Sequence, residues 1–198
     1  LADLGVSSMQ IDNPARGFTF GAEGPLDMRM NPNRGLSAAA WLERATTKQI
    51  ARALRDHADE PFADHLAEAL LAQRGAIHTT QALAAAVREA LAGEADKDAV
   101  DLSVRRVFQA LRIEVNDELG ALDALLRDLP HCLRPGGRVA VLTFHSGEDR
   151  RVKHAFAQGE SDGLYASVAR EVIRAAAKER HDNPRSRSAK LRWARRAG

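Results

Sequence analysis

The chain opens with Leu1-Ala2-Asp3-Leu4-Gly5-Val6-Ser7-Ser8, and this stretch decides which fold the remaining residues must complete. A short apolar run that ends in Asp, Gly and Ser is typical of the carboxyl edge of a parallel sheet, where open α/β folds bind their ligands. The run is already under way at its first residue, and no Met precedes it. We therefore expect the chain to begin in the middle of a fold and beside an active site.

A second strand is predicted at residues 138–144, where an apolar run follows the turn Pro135-Gly136-Gly137. His145 ends this strand, and Ser146 can start a helix with acids in its first turn. The sequence thus predicts a parallel α/β sheet whose strand ends at Asp3 and His145 face a common crevice. Short late strands are predicted at 172–173 and 190–193.

Residues 37–130, between the two strands, are Ala-rich and carry apolar residues at helical spacing. Ser37, Thr46 or Thr47, and Thr79 or Thr80 are suited to cap helices in this region. Residues 9–36 are instead rich in Gly, Pro, Asn and Arg, and their apolar anchors predict an ordered loop that packs down. The predicted division is a catalytic sheet domain at 1–34, a helical insertion domain at 35–115, and the rest of the sheet domain at 116–198.

The composition excludes several classes of protein. At 198 residues, with 44% hydrophobic and 28% charged residues, the chain suits one ordinary domain, or one domain with a modest insertion. The lone Cys132 cannot form an internal disulfide and is predicted to be a buried cytosolic thiol. We find no apolar run that would span a membrane and no motif for a metal, so we predict neither a membrane nor a metal partner. The predicted location is cytoplasmic.

The net charge of +2 hides a basic segment at residues 183–198, which contains no acid. Its cations are Arg185, Arg187, Lys190, Arg192, Arg195 and Arg196. Such a local density of positive charge is typical of a surface that binds a phosphate-bearing partner. A solvated terminal tail is the alternative interpretation.

Four strings carry a resemblance to a known family. They are Asp3-Leu4-Gly5-Val6-Ser7-Ser8 with Gln10 and Asp12; Arg16-Gly17-Phe18-Thr19-Phe20 with residues 24–30; Phe144-His145-Ser146-Gly147-Glu148-Asp149-Arg150; and residues 183–192. Together with residues 108–113 and Val115-Asn116, they resemble the MraW-like bacterial methyltransferases that modify a cytosine amino group, at ring position four, in small-subunit (16S) ribosomal RNA. The resemblance implies a Rossmann-like class I methyltransferase sheet with an inserted all-helical domain, S-adenosylmethionine as cofactor, and small-subunit ribosomal RNA as partner.

The resemblance also implies that Asp3 and Gln10 contact S-adenosylmethionine. The alternative for Asp3 is a turn cap at the strand end, and Gln10 taken alone would be a surface residue. The candidate catalytic residues are Asp3 and His145, with a structural histidine as the rival interpretation of His145.

The candidate RNA-binding residues are Asp27, Arg29, Ser146, Asp149, Lys153, Arg185, Arg187 and Lys190. A structural Asp27–Arg29 pair is the alternative for the first two. A cytosine amino group is a poor nucleophile, so positioning carries much of the rate. The strand end at Asp3 has no aromatic residue to stack on the base. Phe18, Phe20 and Phe144 are the candidates, each with core packing as its alternative.

The family's amino-terminal third, including the Gly-Gly-His loop that attends the methionine part of the cofactor, has no counterpart in the sequence. We therefore expect these 198 residues alone to bind S-adenosylmethionine weakly and to be inactive. A non-catalytic RNA-binding remnant and a small-molecule methyltransferase of the same fold remain the alternatives. The sequence leaves the oligomeric state open.

Overall fold

The computed structural model describes residues 1–198 and has a mixed α/β architecture. It consists of two compact units. The sheet unit combines Leu1–Gly5 with Leu119–Gly198, and the helical unit is the continuous segment Val6–Glu118.

The sheet unit contains five strands. They are β1 (Ala2–Asp3), β2 (Arg138–Thr143), β3 (Tyr165–Val168), β4 (Ile173–Arg174) and β5 (Lys190–Arg196). The order is β1-β2-β5-β3, and β4 also pairs with β5. β1 and β2 are parallel, with Ala2 opposite Val141 and Asp3 opposite Leu142. The strand ends at Asp3 and Thr143 therefore lie at one edge of the sheet, as the sequence predicted.

The prediction of a parallel sheet holds for the β1–β2 pair but not for β5, which runs antiparallel to β2, β3 and β4. β5 lies between β2 and β3 in the sheet. Buried and exposed side chains alternate along it, because successive side chains of a strand point to opposite faces. Arg192 and Ala194 are buried, whereas Trp193 and Arg195 are exposed. The predicted late strands are present as β4 and β5, whereas β3 was not predicted.

Three helices accompany the strands of the sheet unit. They are α7 (Glu118–Cys132), which begins at the unit boundary, α8 (Ser146–Ser161) and α9 (Ala177–Asp182). The core joins Leu122 and Leu126 of α7 to Val139 and Val141 of β2 and to Phe156 of α8.

Cys132 is exposed, so the prediction of a buried thiol is wrong. Leu122, Leu126 and Pro130, spaced by four, define the buried face of α7. Cys132 lies two residues beyond Pro130, on the other side of the helix.

The helical unit contains six α-helices. They are α1 (Ser8–Ile11), α2 (Ala38–Arg44), α3 (Thr47–Ala58), α4 (Ala63–Gln73), α5 (Thr80–Ala90) and α6 (Lys97–Asn116). The predicted caps are confirmed. The hydroxyls of Ser37, Thr46 and Thr79 accept hydrogen bonds from backbone N–H groups in the first turns of α2, α3 and α5.

The Gly- and Pro-rich loop at 12–37 is ordered and packs down, as its apolar anchors predicted, but it belongs to the compact helical unit and not to the sheet unit. Leu26 and Met28 are buried within the same core as Leu42, Leu54 and the other apolar residues of the helices. The Leu26 N–H donates to the carbonyl oxygen of His78 at 2.9 Å. The compact helical unit thus begins well before residue 35, and the functional domain bounds stay a prediction. None of the helices combines the length and apolar character that a membrane crossing demands.

Gly17 provides a test of how tightly this loop is packed. Its φ is +73°, and a Cβ there would lie 2.7 Å from the Asp27 nitrogen and against the Pro25 oxygen. We expect Gly17→Ala to lower the free energy of unfolding by about 2–5 kcal/mol, from backbone strain and overpacking together, in urea denaturation. Gly35 is the control, because its φ is +77° but no atom lies within 4 Å of its Cβ position. Gly35→Ala should cost only about 1–2 kcal/mol, and equal losses in both variants would contradict the packing argument.

Candidate functional site

The edge of the sheet where β1 and β2 end carries an accessible carboxylate. Asp3 is exposed, and its side chain has no hydrogen-bond or ion-pair partner in the chain. Gly5 follows with φ +88°, and a Cβ there would meet only the Phe144 ring, at 3.9 Å. The backbone beside Asp3 is therefore open to the close approach of a ligand.

His145 and Glu148 form a buried capping box at the start of α8. The ring Nδ1 of His145 accepts from the Glu148 N–H at 3.4 Å. The Glu148 carboxylate accepts from the N–H of Phe144 at 2.8 Å and from the N–H of His145 at 3.4 Å. His145 Nε2 lies 3.3 Å from the Glu148 carboxylate, but without the geometry of a hydrogen bond. His145 therefore has a structural role as the helix cap, and its catalytic role stays a prediction.

Asp149 is the centre of an ionic cluster that links α8 to β5. Its carboxylate accepts from Arg192 Nε at 2.7 Å and from Lys190 Nζ at 3.3 Å. Burial raises the pKa of Asp149, but the hydrogen bonds and charges of Arg192 and Lys190 outweigh burial and hold the pKa below its ordinary value. Asp149 and Lys190, both predicted to contact RNA, are thus bonded to each other.

The other predicted RNA-binding residues of the sheet unit lie at its surface. Ser146 and Lys153 are exposed on α8, and Arg185 and Arg187 are exposed in the 3-10 helix Pro184–Ser188. Arg187 Nε donates to the carbonyl oxygen of Arg180 at 3.3 Å. These positions give the sheet unit an exposed set of cations.

Gln10, the second predicted cofactor contact, belongs to the helical unit and caps α1. The Ser7 hydroxyl accepts from the Gln10 N–H at 3.3 Å, and Gln10 Oε1 accepts from the Ser7 N–H at 2.9 Å. The Gln10 side-chain oxygen is therefore committed to the cap, while its amide N–H groups remain available as donors.

Asp27 and Arg29 form a structural ion pair, which was the alternative to their predicted contact with RNA. Arg29 Nε donates to Asp27 Oδ1 at 2.8 Å, and its Nη2 donates to Asp27 Oδ2 at 2.7 Å. This bidentate hydrogen bonding lowers the pKa of Asp27. A role of the pair in a substrate cleft stays a prediction.

Asn116 holds the backbone of the same loop, a role that the sequence did not reveal. Its Oδ1 accepts from the Met30 N–H at 2.7 Å, and its Nδ2 donates to the Met28 carbonyl oxygen at 2.7 Å. Met28 has a φ of 60°, which is uncommon for a residue other than glycine. The sequence offered only one sign of this role. Asn116 belongs to the strings that resemble the known family, and it lies at the end of a long helical pattern.

No group of three or more His, Cys, Asp or Glu side chains is arranged to hold a metal ion. The chemistry offered by the described residues is therefore that of a carboxylate at the sheet edge, a capped helix start and exposed cations.

Comparison with known proteins identifies the class as a methylase. The model of the MraW methylase family matches residues 1–197, and the chain belongs to that family.

Curated relatives carry a more specific name. The chain is 46% identical to "Ribosomal RNA small subunit methyltransferase H 1" of Agathobacter rectalis, covering 100% of this chain and 58% of the relative. It is 49% identical to "Ribosomal RNA small subunit methyltransferase H 2" of Alkaliphilus metalliredigens, covering 98% of this chain and 57% of the relative. The chain thus spans less than three fifths of the length of these two relatives.

The Asp149 cluster leads to a prediction on stability and pH. At neutral pH, Asp149→Asn should lower the free energy of unfolding by roughly 2 kcal/mol, because Arg192 loses its charged partner in a buried position. The folded pKa of Asp149 lies below its ordinary 3.8. Its stabilisation is therefore present above that pH and is lost as the pH falls through the folded pKa. Chemical denaturation from pH 7 to pH 2 should show the two proteins converging at acid pH.

Asp128→Asn is the matched control, because Asp128 pairs with Arg127 at 2.9 Å with both side chains exposed. Exposed pairs contribute little, so this variant should unfold like the unaltered protein at every pH. If Asp149→Asn behaved in the same way as Asp128→Asn, the cluster would have no role in stability.

Proposed function

We propose that the protein carrying this chain uses S-adenosylmethionine to methylate the exocyclic amino group of a cytosine in small-subunit ribosomal RNA. Membership of the MraW methylase family over residues 1–197 carries the proposal. The names of the relatives, at 46% and 49% identity over nearly all of the chain, support ribosomal RNA of the small subunit as the substrate. The proposed location is the cytoplasm.

The proposed architecture is a class I, Rossmann-like methyltransferase sheet with an inserted all-helical domain. The parallel β1–β2 pair and the neighbouring antiparallel β5 support the sheet. The six helices between β1 and the start of α7 support the insertion. The sequence-based bounds of the insertion, 35–115, lie inside the compact helical unit.

The residues present fit a cofactor at the sheet edge. S-adenosylmethionine, when bound, supplies a methyl group that the amino nitrogen attacks. Asp3 would accept hydrogen bonds from the cofactor, because its carboxylate is exposed and has no partner in the chain. Gly5 leaves the adjoining backbone open. Gln10 is the second proposed cofactor contact, and this role rests on the resemblance.

Catalysis on cytosine demands that the chain orient a poor nucleophile. An acceptor that holds one amino hydrogen shifts the nitrogen lone pair toward the methyl carbon, and alignment of the reacting atoms supplies much of the rate. Asp3 and His145 are the candidates for that acceptor. Asp3 is exposed, whereas the side chain of His145 is only 10% exposed in its capping box. We therefore favour Asp3 as a cofactor ligand and leave His145 as the structural start of α8.

The exposed cations of the sheet unit suit the phosphates of the RNA. Arg185, Arg187 and Lys153 lie at the surface, and phosphate contacts position RNA without reading its sequence. Lys190 contributes less than the sequence suggested, because Asp149 already neutralises part of its charge.

Replacing Arg185 and Arg187 together by Ala tests this surface. We expect weaker RNA binding, and a salt dependence that flattens by up to about one unit of slope per lost contact. Anisotropy titrations of a small-subunit RNA fragment at several salt concentrations would measure both. Arg134 and Arg138 are two exposed arginines of the same unit, so Arg134→Ala with Arg138→Ala matches the change in charge. If the two double variants had equal effects, Arg185 and Arg187 would act only as general positive charge and not as specific phosphate contacts.

The proposed activity is tested in a polypeptide of the relatives' full length that carries residues 1–198. We expect labelled methyl groups to enter small-subunit ribosomal RNA, with N4-methylcytidine as the nucleoside product. RNA binding without methyl transfer would favour a non-catalytic RNA-binding protein. Transfer to small molecules but not to RNA would favour a small-molecule methyltransferase.

Asp3→Asn separates two roles in that same protein, because it removes the charge and retains a hydrogen-bonding side chain. If Asp3 holds the cofactor, affinity for S-adenosylmethionine falls while turnover at saturation stays within about tenfold. If Asp3 polarises the amino group, turnover falls by roughly a hundredfold with affinity little changed. We expect the first result, and normal affinity with normal turnover would remove Asp3 from the site.

A further inference from the structure

The helical unit contains a small pocket beside the loop at 12–37. Asn116 and Arg16 both make hydrogen bonds to the backbone of that loop. The volume of the pocket is about 170 Å³. The aromatic side chains of Phe18, Phe20 and Phe108 line it, and the polar side chains of Arg105, Gln109 and Arg112 line it as well. The proposed cofactor contacts, Asp3 and Gln10, are not among these residues.

The aromatic rings of the pocket are held in place. Phe20 and Phe108 meet edge to face, with centroids 5.1 Å apart, and Phe108 is buried. The Arg16 guanidinium lies over the ring of Phe18, 5.7 Å from its centroid. Arg16 is itself fixed, because its Nη2 donates to the carbonyl oxygens of Arg29 at 2.7 Å and Met30 at 3.0 Å. Phe18 and Phe20 therefore form an ordered aromatic surface that is only half-buried.

The polar side chains offer one hydrogen-bond acceptor and one uncompensated cation. Gln109 Nε2 donates to the carbonyl oxygen of His57 at 2.8 Å, and the Gln109 side-chain oxygen accepts no hydrogen bond. Arg112 is paired with Glu118 through two hydrogen bonds, of 2.7 and 2.9 Å. Arg105 is exposed and has no hydrogen-bond or ion-pair partner.

We propose that this pocket holds one unpaired nucleobase of the RNA, a base that carries an exocyclic amino group. The base stacks on Phe18, its amino group donates to the Gln109 oxygen, and the adjoining phosphate meets Arg105. Proteins that bind single-stranded nucleic acid commonly stack its bases on aromatic side chains and bind its phosphates through nearby cations.

The volume of the pocket is that of about five to six water molecules in the liquid. This space suits a single base ring rather than a whole nucleoside. An apolar side chain of a protein partner would fill the same space but leave Gln109 and Arg105 unmatched. The inference rests on the proposed RNA substrate and names the chemistry that would recognise part of it.

The test uses the 198-residue chain and short single-stranded oligocytidylates. Anisotropy gives the affinity, and one 2-aminopurine in the oligonucleotide reports stacking through loss of its fluorescence. Phe18→Leu keeps an apolar side chain but removes the ring, and it should weaken binding about tenfold and abolish the quenching. Phe18→Trp restores a stacking surface and should restore both. The unaltered chain should prefer oligocytidylate to oligouridylate, because uracil has no amino group.

Arg105 and Arg74 provide a matched pair of controls, since both are exposed and neither has a side-chain partner. Arg105→Ala should flatten the salt dependence by about one unit of slope, and Arg74→Ala should not.

Two outcomes would overturn the inference in different ways. If Phe18→Leu bound and quenched like the unaltered chain, while the Arg185 and Arg187 variant bound weakly, RNA would bind elsewhere and the proposed substrate would stand. If no oligonucleotide bound the chain, the pocket would hold no nucleobase, and methyl transfer by the polypeptide of the relatives' full length would still decide the proposed substrate.

Discussion

The sheet unit depends on the contact between the Asp149 carboxylate and the Arg192 guanidinium. Arg192 stands opposite Val141 in the pairing of β5 with β2, and its side chain is only 8% exposed. A buried guanidinium without an anion is costly, so Asp149 must lie within reach of β5. Asp149 lies in the first turn of α8, so this contact ties the start of α8 to β5.

The predictable parts of the fold were those encoded by neighbouring residues. The caps at Ser37, Thr46 and Thr79 join groups three residues apart, and β2 follows a Pro-Gly-Gly turn, so each carries its own local signal. β3 has four residues and pairs only with β5, and the direction of β5 depends on partners far away in the chain. The hydrophobic periodicity of a segment does not indicate which distant strand it will pair with.

The candidate site divides in the same way. The placement of Asp3 and His145 at one edge of the sheet was predictable because parallel strands end at a common edge, a rule that needs only the strand positions. The Asp149–Lys190 contact spans 41 residues and the Met30–Asn116 contact spans 86, and the sequence around each residue does not suggest its partner. Both contacts changed the interpretation. The first lowers the expected share of Lys190 in RNA binding, and the second explains how a loop with few regular hydrogen bonds keeps its shape.

The discontinuity of the sheet unit has a consequence for folding during synthesis. β1 finds its partner only when Val141 and Leu142 have been made, whereas the helical unit is continuous and rich in local contacts. At bacterial elongation speeds the interval is on the order of ten seconds, and helical structure forms far faster than that. We expect the helices to be assembled before β1 pairs with β2. This pairing is then a late step of folding, and it places Asp3 beside the end of β2.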